Sequence, residues 1–157
     1  ARMYQCIRGC VMVTLIGKGI VRGRGCGPAL VTQMPINFAA AFAGITSIIP
    51  GKRAVMQDRH HEFFKKNLRD TVLVFPTCTG STFSGMVLMQ VMYDHEAPAA
   101  IIVQDADSLL ISGAILADVW FNSGIPVVEY NVPDLFDKIH TGDTVEVSGD
   151  TGGIQLY

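Results

Sequence analysis

Residues 72–88 read VLVFPTCTGSTFSGMVL, and this stretch decides the fold. The apolar run Val72, Leu73, Val74 and Phe75 stops at Pro76. A short Thr/Cys/Gly loop follows, and Ser81-Thr82 open a long apolar segment. That order is a buried strand, a tight loop and a helix, the helix expected over residues 81–93. A strand feeding a helix N-terminus gathers unpaired N–H groups and hydroxyls at one spot, which favours a carboxylate or phosphate. Chemistry is expected here.

The same unit recurs downstream. A strand at 99–103 precedes a helix at 108–121, and a strand at 126–130 precedes a short helix near 133–139. Strands alternating with helices imply parallel crossovers, and continuous apolar runs suit strands covered on both faces. Closing strands at 144–147 and 153–156 read as an antiparallel hairpin around a Gly149/Asp150/Gly152 turn.

Upstream, residues 3–34 are β-rich and punctuated by glycine. Strands are expected at 11–16 and 29–31, with Gly17, Gly19, Gly23, Gly25 and Gly27 breaking anything longer. No helical pattern follows Gly23–Gly27, so the dinucleotide fingerprint is not met; turns and bulges of a curled sheet fit better. Residues 35–71 are the least regular, with a short helix possible within 57–69. The expected class is α/β: a mostly parallel βαβαβ core with a glycine-rich, β-containing N-terminal part, as one domain over residues 1–157.

Hydrophobic residues make up 49% of the chain and charged residues only 17%, against about 25% charged in a typical soluble domain. The deficit points to surface covered by another subunit or domain. The helix at 81–93 is apolar nearly all round, so burial on several sides is expected. A net charge of −2 offers no basic footprint for nucleic acid or an anionic membrane. No apolar run approaches the roughly 20 residues of a membrane span. The N-terminus lacks a signal-peptide profile, so a cytoplasmic location is expected. Cys6, Cys10, Cys26 and Cys78 form no CxxC pair, and reduced thiols without a metal site are expected.

Taken together, the motifs resemble the small subunit, or swivelling domain, of aconitase X in the aconitase superfamily. They are Gly25-x-Gly27-Pro-Ala-Leu-Val31, Pro35-Ile-Asn-Phe38, Asp58-x-x-His61, Leu73-Val-Phe-Pro76 and Gly80-Ser81-Thr82. Ala97-Pro98-x-Ala100-Ile101-Ile102, Gly113-Ala114-Ile115-x-Ala117, Ile125-Pro126-Val127 and Thr141-Gly142-Asp143-x-Val145 complete the series. Residues 39–54 depart from the family pattern, which has Gly-Gly-x-Asp where this chain has Ala-Ala-Ala-Phe-Ala-Gly. The resemblance implies a swivelling β/β/α domain and a hydro-lyase active only with a large catalytic subunit. It also implies that iron or an iron–sulfur cluster is held by that partner. The implied substrate is a small hydroxy acid, cis-3-hydroxy-L-proline in the first place and mevalonate 5-phosphate as the alternative. Ser81 best matches the family's serine base, with Thr79, Gly80, Thr82 and Ser84 as substrate contacts.

The residues give their own reading of Ser81. Dehydrating a β-hydroxy acid needs a base at the α carbon and a Lewis acid on the leaving hydroxyl. Serine becomes a base only in positive potential, which a helix N-terminus and a cation supply. Arg22, Arg24, Arg53, Arg59 or a partner residue could be that cation. The competing reading is that Ser81 or Thr82 merely caps the helix. Cys78 is a weak candidate iron ligand. His60 and His61 fit a polar turn, Asp143 a turn before a strand, and Asp105 and Asp107 a helix cap. A phosphohistidine swivelling domain would need a histidine on the helix-opening loop, and none lies between His61 and His95. A non-catalytic assembly module is the remaining alternative.

Overall fold

The computed structural model describes residues 12–42, 49 and 52–157. Among them the elements run β1 (Val13–Ile16), β2 (Lys18–Val21), β3 (Arg24–Val31), α1 (Phe38–Phe42), β4 (Val72–Phe75) and α2 (Phe83–Tyr93). Then come β5 (Ala100–Val103), α3 (Ser108–Phe121), β6 (Val127–Glu129), α4 (Leu135–Lys138), β7 (Thr144–Ser148) and β8 (Gly153–Leu156).

β3, β4, β5 and β6 are parallel neighbours, with Leu30 opposite Leu73, Leu73 opposite Ile101 and Ile102 opposite Val128. Antiparallel strands flank this core, giving the order β1-β8-β7-β3-β4-β5-β6-β2. The expected α/β class with a parallel core is what forms, and the closing hairpin pairs Val147 with Ile154. β1 and β2 stand at opposite ends of the order, yet Gly17 alone joins them. The sheet therefore curls until its ends meet. Glycine permits the closure, since a Cβ on Gly19 would lie 1.9 Å from the Gly149 carbonyl oxygen. A register shift between Gly19 and Val21 adds the bend.

The curl makes three layers. Val72, Val74 and Ile102 pack toward Val145, Val147 and Ile154 of the folded-over strands. Leu73, Phe75 and Ile101 face the helices, packing with Phe38, Leu88, Met92 and Leu110. Alternate residues of β4 thus enter different layers, which is why the whole strand is apolar. Phe75 meets Phe38 edge-on at 5.9 Å, and Phe38 stacks on Phe42 at 5.8 Å.

Several expectations need correction. β3 runs unbroken through Gly25 and Gly27. A Cβ there would stand 2.0 Å from the Ala99 oxygen and 2.4 Å from the Asp70 oxygen, so these glycines admit neighbouring backbone rather than break the strand. β2 and α1 were not expected, and α2 begins at Phe83 rather than Ser81. Residues 57–69 form turns with a single bridge, Val55 to Asn67, and no helix. Cys26 is disulfide-bonded, against the expectation of reduced thiols, because spacing in sequence carries no distance in space. Cys6, Cys10 and residue 11 of the expected first strand lie outside the described residues. Phe83, Met86 and Tyr93 of α2 are exposed, so the burial expected on several sides is not met within this chain.

α2 and α3 cross on glycine. A Cβ on Gly113 would stand 2.4 Å from the Gly85 carbonyl oxygen, and one on Gly85 2.7 Å from the Leu109 oxygen. Alanine favours a helix interior by about 1 kcal/mol over glycine. Backbone cannot yield cheaply, however, so overpacking of about 1–3 kcal/mol should outweigh that gain. Gly113→Ala is expected to lower the midpoint of denaturant unfolding; an unchanged or raised midpoint would refute the close crossing.

Candidate active site

The C-terminal ends of β4 and β5 carry linked loops. Gln104 N–H donates to the Phe75 oxygen at 3.2 Å, and Asp105 N–H to the Pro76 oxygen at 2.9 Å. On the other side, Ile36 N–H donates to the Thr77 oxygen at 3.1 Å and Thr79 N–H to the Ile36 oxygen at 3.0 Å. The chain leaves this pairing through Gly80, whose φ of +111° suits glycine. Ser81 and Thr82 follow as exposed residues at the start of α2. Thr79, Gly80, Ser81 and Thr82 thus form one open rim at the positive end of a helix.

The capping alternative explains little of this. Thr82 occupies the N-cap position but makes no side-chain capping bond. Ser81 Oγ accepts one long bond, 3.3 Å, from Phe83 N–H. Ser84 points the other way: it is 1% exposed and its hydroxyl donates to Asn37 Oδ1 at 3.2 Å. The first buried turn of α2 faces inward, so the substrate contact expected of Ser84 is not offered by this geometry. Asn37 carried no site role in the sequence reading. Its signal was an Asn directly before the apolar pair Phe38 and Phe42, an N-cap pattern.

Three of the four candidate cations stand away from Ser81. Arg22 is 3.5 Å from Asp118, near the far end of α3. Arg24 opens β3 opposite Ser148, about 23 Å along the strand from Val31. Arg53 pairs with Asp94 beyond the C-terminus of the 11-residue α2, about 16 Å from the helix start. Arg59 shares the 58–62 turn with Glu62, which accepts from the Thr32 hydroxyl just past the end of β3. It makes no ion pair among the described residues and alone of the four lies on the Ser81 side.

Cys78 is buried beneath the rim as a free thiol. Burial raises its pKa, and the charge and hydrogen bond of Asp107 raise it further. Asp107 also caps α3 by accepting from Leu110 N–H at 3.0 Å, as expected of a helix cap. A thiol so held does not offer the thiolate that iron needs. Among the described residues no group of three or more His, Cys, Asp or Glu could hold a metal. The described residues therefore offer no ligand set for iron, which the resemblance assigns to the partner subunit.

The ordinary thiol value is 9.0. Above that pH the unfolded chain releases the Cys78 proton while the folded chain keeps it. Stability is then lost as pH rises, by at most about 1.4 kcal/mol per pH unit. Unfolding titrations between pH 8 and 10 should show a steeper fall for the wild type than for Cys78→Ala; parallel curves would count against it. The other polar candidates play turn roles. His60 N–H donates to Asp58 Oδ1 at 3.0 Å, and the buried His61 accepts from Phe63 N–H at 3.1 Å through Nδ1. Asp143 accepts from His140 N–H at 2.8 Å just before β7.

A helix-opening serine on a curled β/β/α frame invites comparison with known proteins. The sequence profile of the aconitase X swivel domain matches residues 14–156. The chain belongs to the aconitase X swivel-domain family. Within it, the chain is 37% identical over 140 residues to the phosphomevalonate dehydratase small subunit of Methanocella arvoryzae, covering 89% of this chain and 96% of that one. The protein of the same name from Methanothermobacter thermautotrophicus is 35% identical, covering 87% and 95%. The crystal structure of Thermococcus kodakaraensis aconitase X in its holo-form superimposes with a TM-score of 0.77 at 28% identity, covering 92% of this chain and 98% of that one. These relatives correct one expectation: they carry the name of the alternative activity, and cis-3-hydroxy-L-proline finds no support in them. Among the described residues no helix is long and apolar enough to cross a membrane.

Proposed function

We propose that this chain is the small subunit of a hydro-lyase that dehydrates mevalonate 5-phosphate together with a large catalytic subunit. The observation that carries the reading is the exposed Ser81 hydroxyl, held at the start of α2 by the Gly80 turn. Its relatives' names supply the substrate. In this reading Ser81 Oγ, as an alkoxide, takes the proton from the α carbon. The electron pair forms the α,β double bond, the β carbon–oxygen bond breaks, and hydroxide leaves on the side of the large subunit. The serine proton then completes the water released. The α2 N-terminus lowers the cost of the alkoxide, and Thr79, Gly80 and Thr82 line the substrate at the same rim. Of the four candidate arginines, Arg59, on the Ser81 side of the sheet, is the one this reading assigns to assist.

The outer helix face supports pairing. Phe83 is 53%, Met86 58% and Trp120 62% exposed. Asp118 is the only charged residue within α2 and α3. Phe83 stands two residues from Ser81, so a large subunit delivering substrate to that hydroxyl must meet this apolar surface. Tyr93 and Phe121, 4.8 Å apart, continue it across both helices.

Reconstitution with the large subunit tests the activity. Turnover of mevalonate 5-phosphate and none of cis-3-hydroxy-L-proline is expected. An assembled, metal-loaded pair that leaves mevalonate 5-phosphate untouched would overturn the assignment.

A further inference from the structure

The geometry points to Asn37 as the residue that positions the Ser81 turn. This rests on the catalytic reading of Ser81. Asn37 Oδ1 accepts from Ala39 N–H at 3.1 Å, Ala40 N–H at 3.2 Å and the Ser84 hydroxyl at 3.2 Å. Two backbone donors at one atom identify it as the oxygen, so the amide orientation is fixed. The same amide lies flat against Gly80. A Cβ there would stand 2.7 Å from Asn37 Oδ1 and 2.8 Å from Nδ2.

The Ser81 segment therefore hangs between two anchors supplied by consecutive residues. On one side Thr79 N–H is held by the Ile36 oxygen, and on the other Ser84 is held by Asn37. Between them only Gly80, Ser81, Thr82 and Phe83 are spanned, and the amide fills the inner side of the Gly80 turn. Ser81 itself is exposed and has no tertiary bond of its own among the described residues. Its direction is thus set by its neighbours, chiefly through Asn37. Asn37 is a positioning residue and need not touch substrate.

A displacement of about 1 Å at a reacting group costs up to about 100-fold in rate. In the assembled two-subunit enzyme with mevalonate 5-phosphate, Asn37→Ala is expected to lower kcat about 10- to 100-fold with KM little changed. Asn37→Asp keeps Oδ1 and its three donors and should recover part of that loss, the remainder reflecting a negative charge added beside the serine. Gly80→Ala attacks the same contact from the other side and should lower kcat as well. It also covers the case in which Asn37→Ala fails to pair. Because Asn37→Ala removes the amide that a Gly80 side chain would strike, the double variant should lose less than the product of the two single losses, the part not relieved being the backbone strain of a side chain at φ +111°. Losses that multiply, or a wild-type kcat in either single variant of an assembled enzyme that Ser81→Ala inactivates, would overturn the inference. Full activity of Ser81→Ala would instead remove the catalytic reading on which it rests.

Discussion

Ser81→Ala is expected to cut turnover of the assembled enzyme by about 10³-fold, in the range set by loss of a general base. Folding and pairing should be unaffected. The side chain is exposed and accepts only one 3.3 Å bond, from Phe83 N–H, so the stability change should stay within about 0.5 kcal/mol. That separation is the value of the experiment. A serine that merely capped α2 would give the opposite pattern, a weakened fold with chemistry intact. Steady-state kinetics and thermal unfolding on the same preparation distinguish the two. Rates near those of the wild type would end the case for a serine base.

Met86→Glu should loosen the two-subunit complex by roughly 100-fold or more in Kd, the scale of a lost contact at an interface centre plus a buried charge. Phe83→Glu should do the same. Neither change should unfold the chain, because both side chains are more than half exposed in it. Co-elution or sedimentation with the large subunit reads the effect directly. Unaltered affinity in both variants would mean that the partner docks elsewhere and that the apolar helix face has another occupant.

The regular half of the fold was legible because β4, β5 and β6 are short apolar runs with helices between them. Burial on both faces writes itself into every residue of such a strand. The N-terminal half hid its plan. In β3, Gly25 and Gly27 read as breaks, whereas they serve close backbone approach, which only the segments leading into β4 and β5 reveal. α1 was missed because five residues are too few to show a period, although Asn37 marked its start. At the site, the loop itself was legible as a strand that stops and a helix that starts. Ser84 was not, since Ser81 lies ahead of the helix while Ser84 sits on the buried face of its first turn, a difference that the order of strand, loop and helix does not reveal. The cations were least accessible of all. Arg22, Arg24 and Arg53 are excluded by which end of a strand or helix they occupy, a property with no trace in local sequence. The substrate preference rested on the want of a basic cluster here, and that says nothing when another polypeptide shares the pocket.

Gly85 and Gly113 leave no cushion of side chains between their helices. α2 cannot slide without dragging α3, and α3 is locked into the sheet through Leu110, Ala114 and Ala117. The hydroxyl at the tip of α2 is thus mounted on a stiff block. On the proposed catalytic reading, admitting substrate and releasing product would have to come from how that block meets its partner, since neither helix can yield alone.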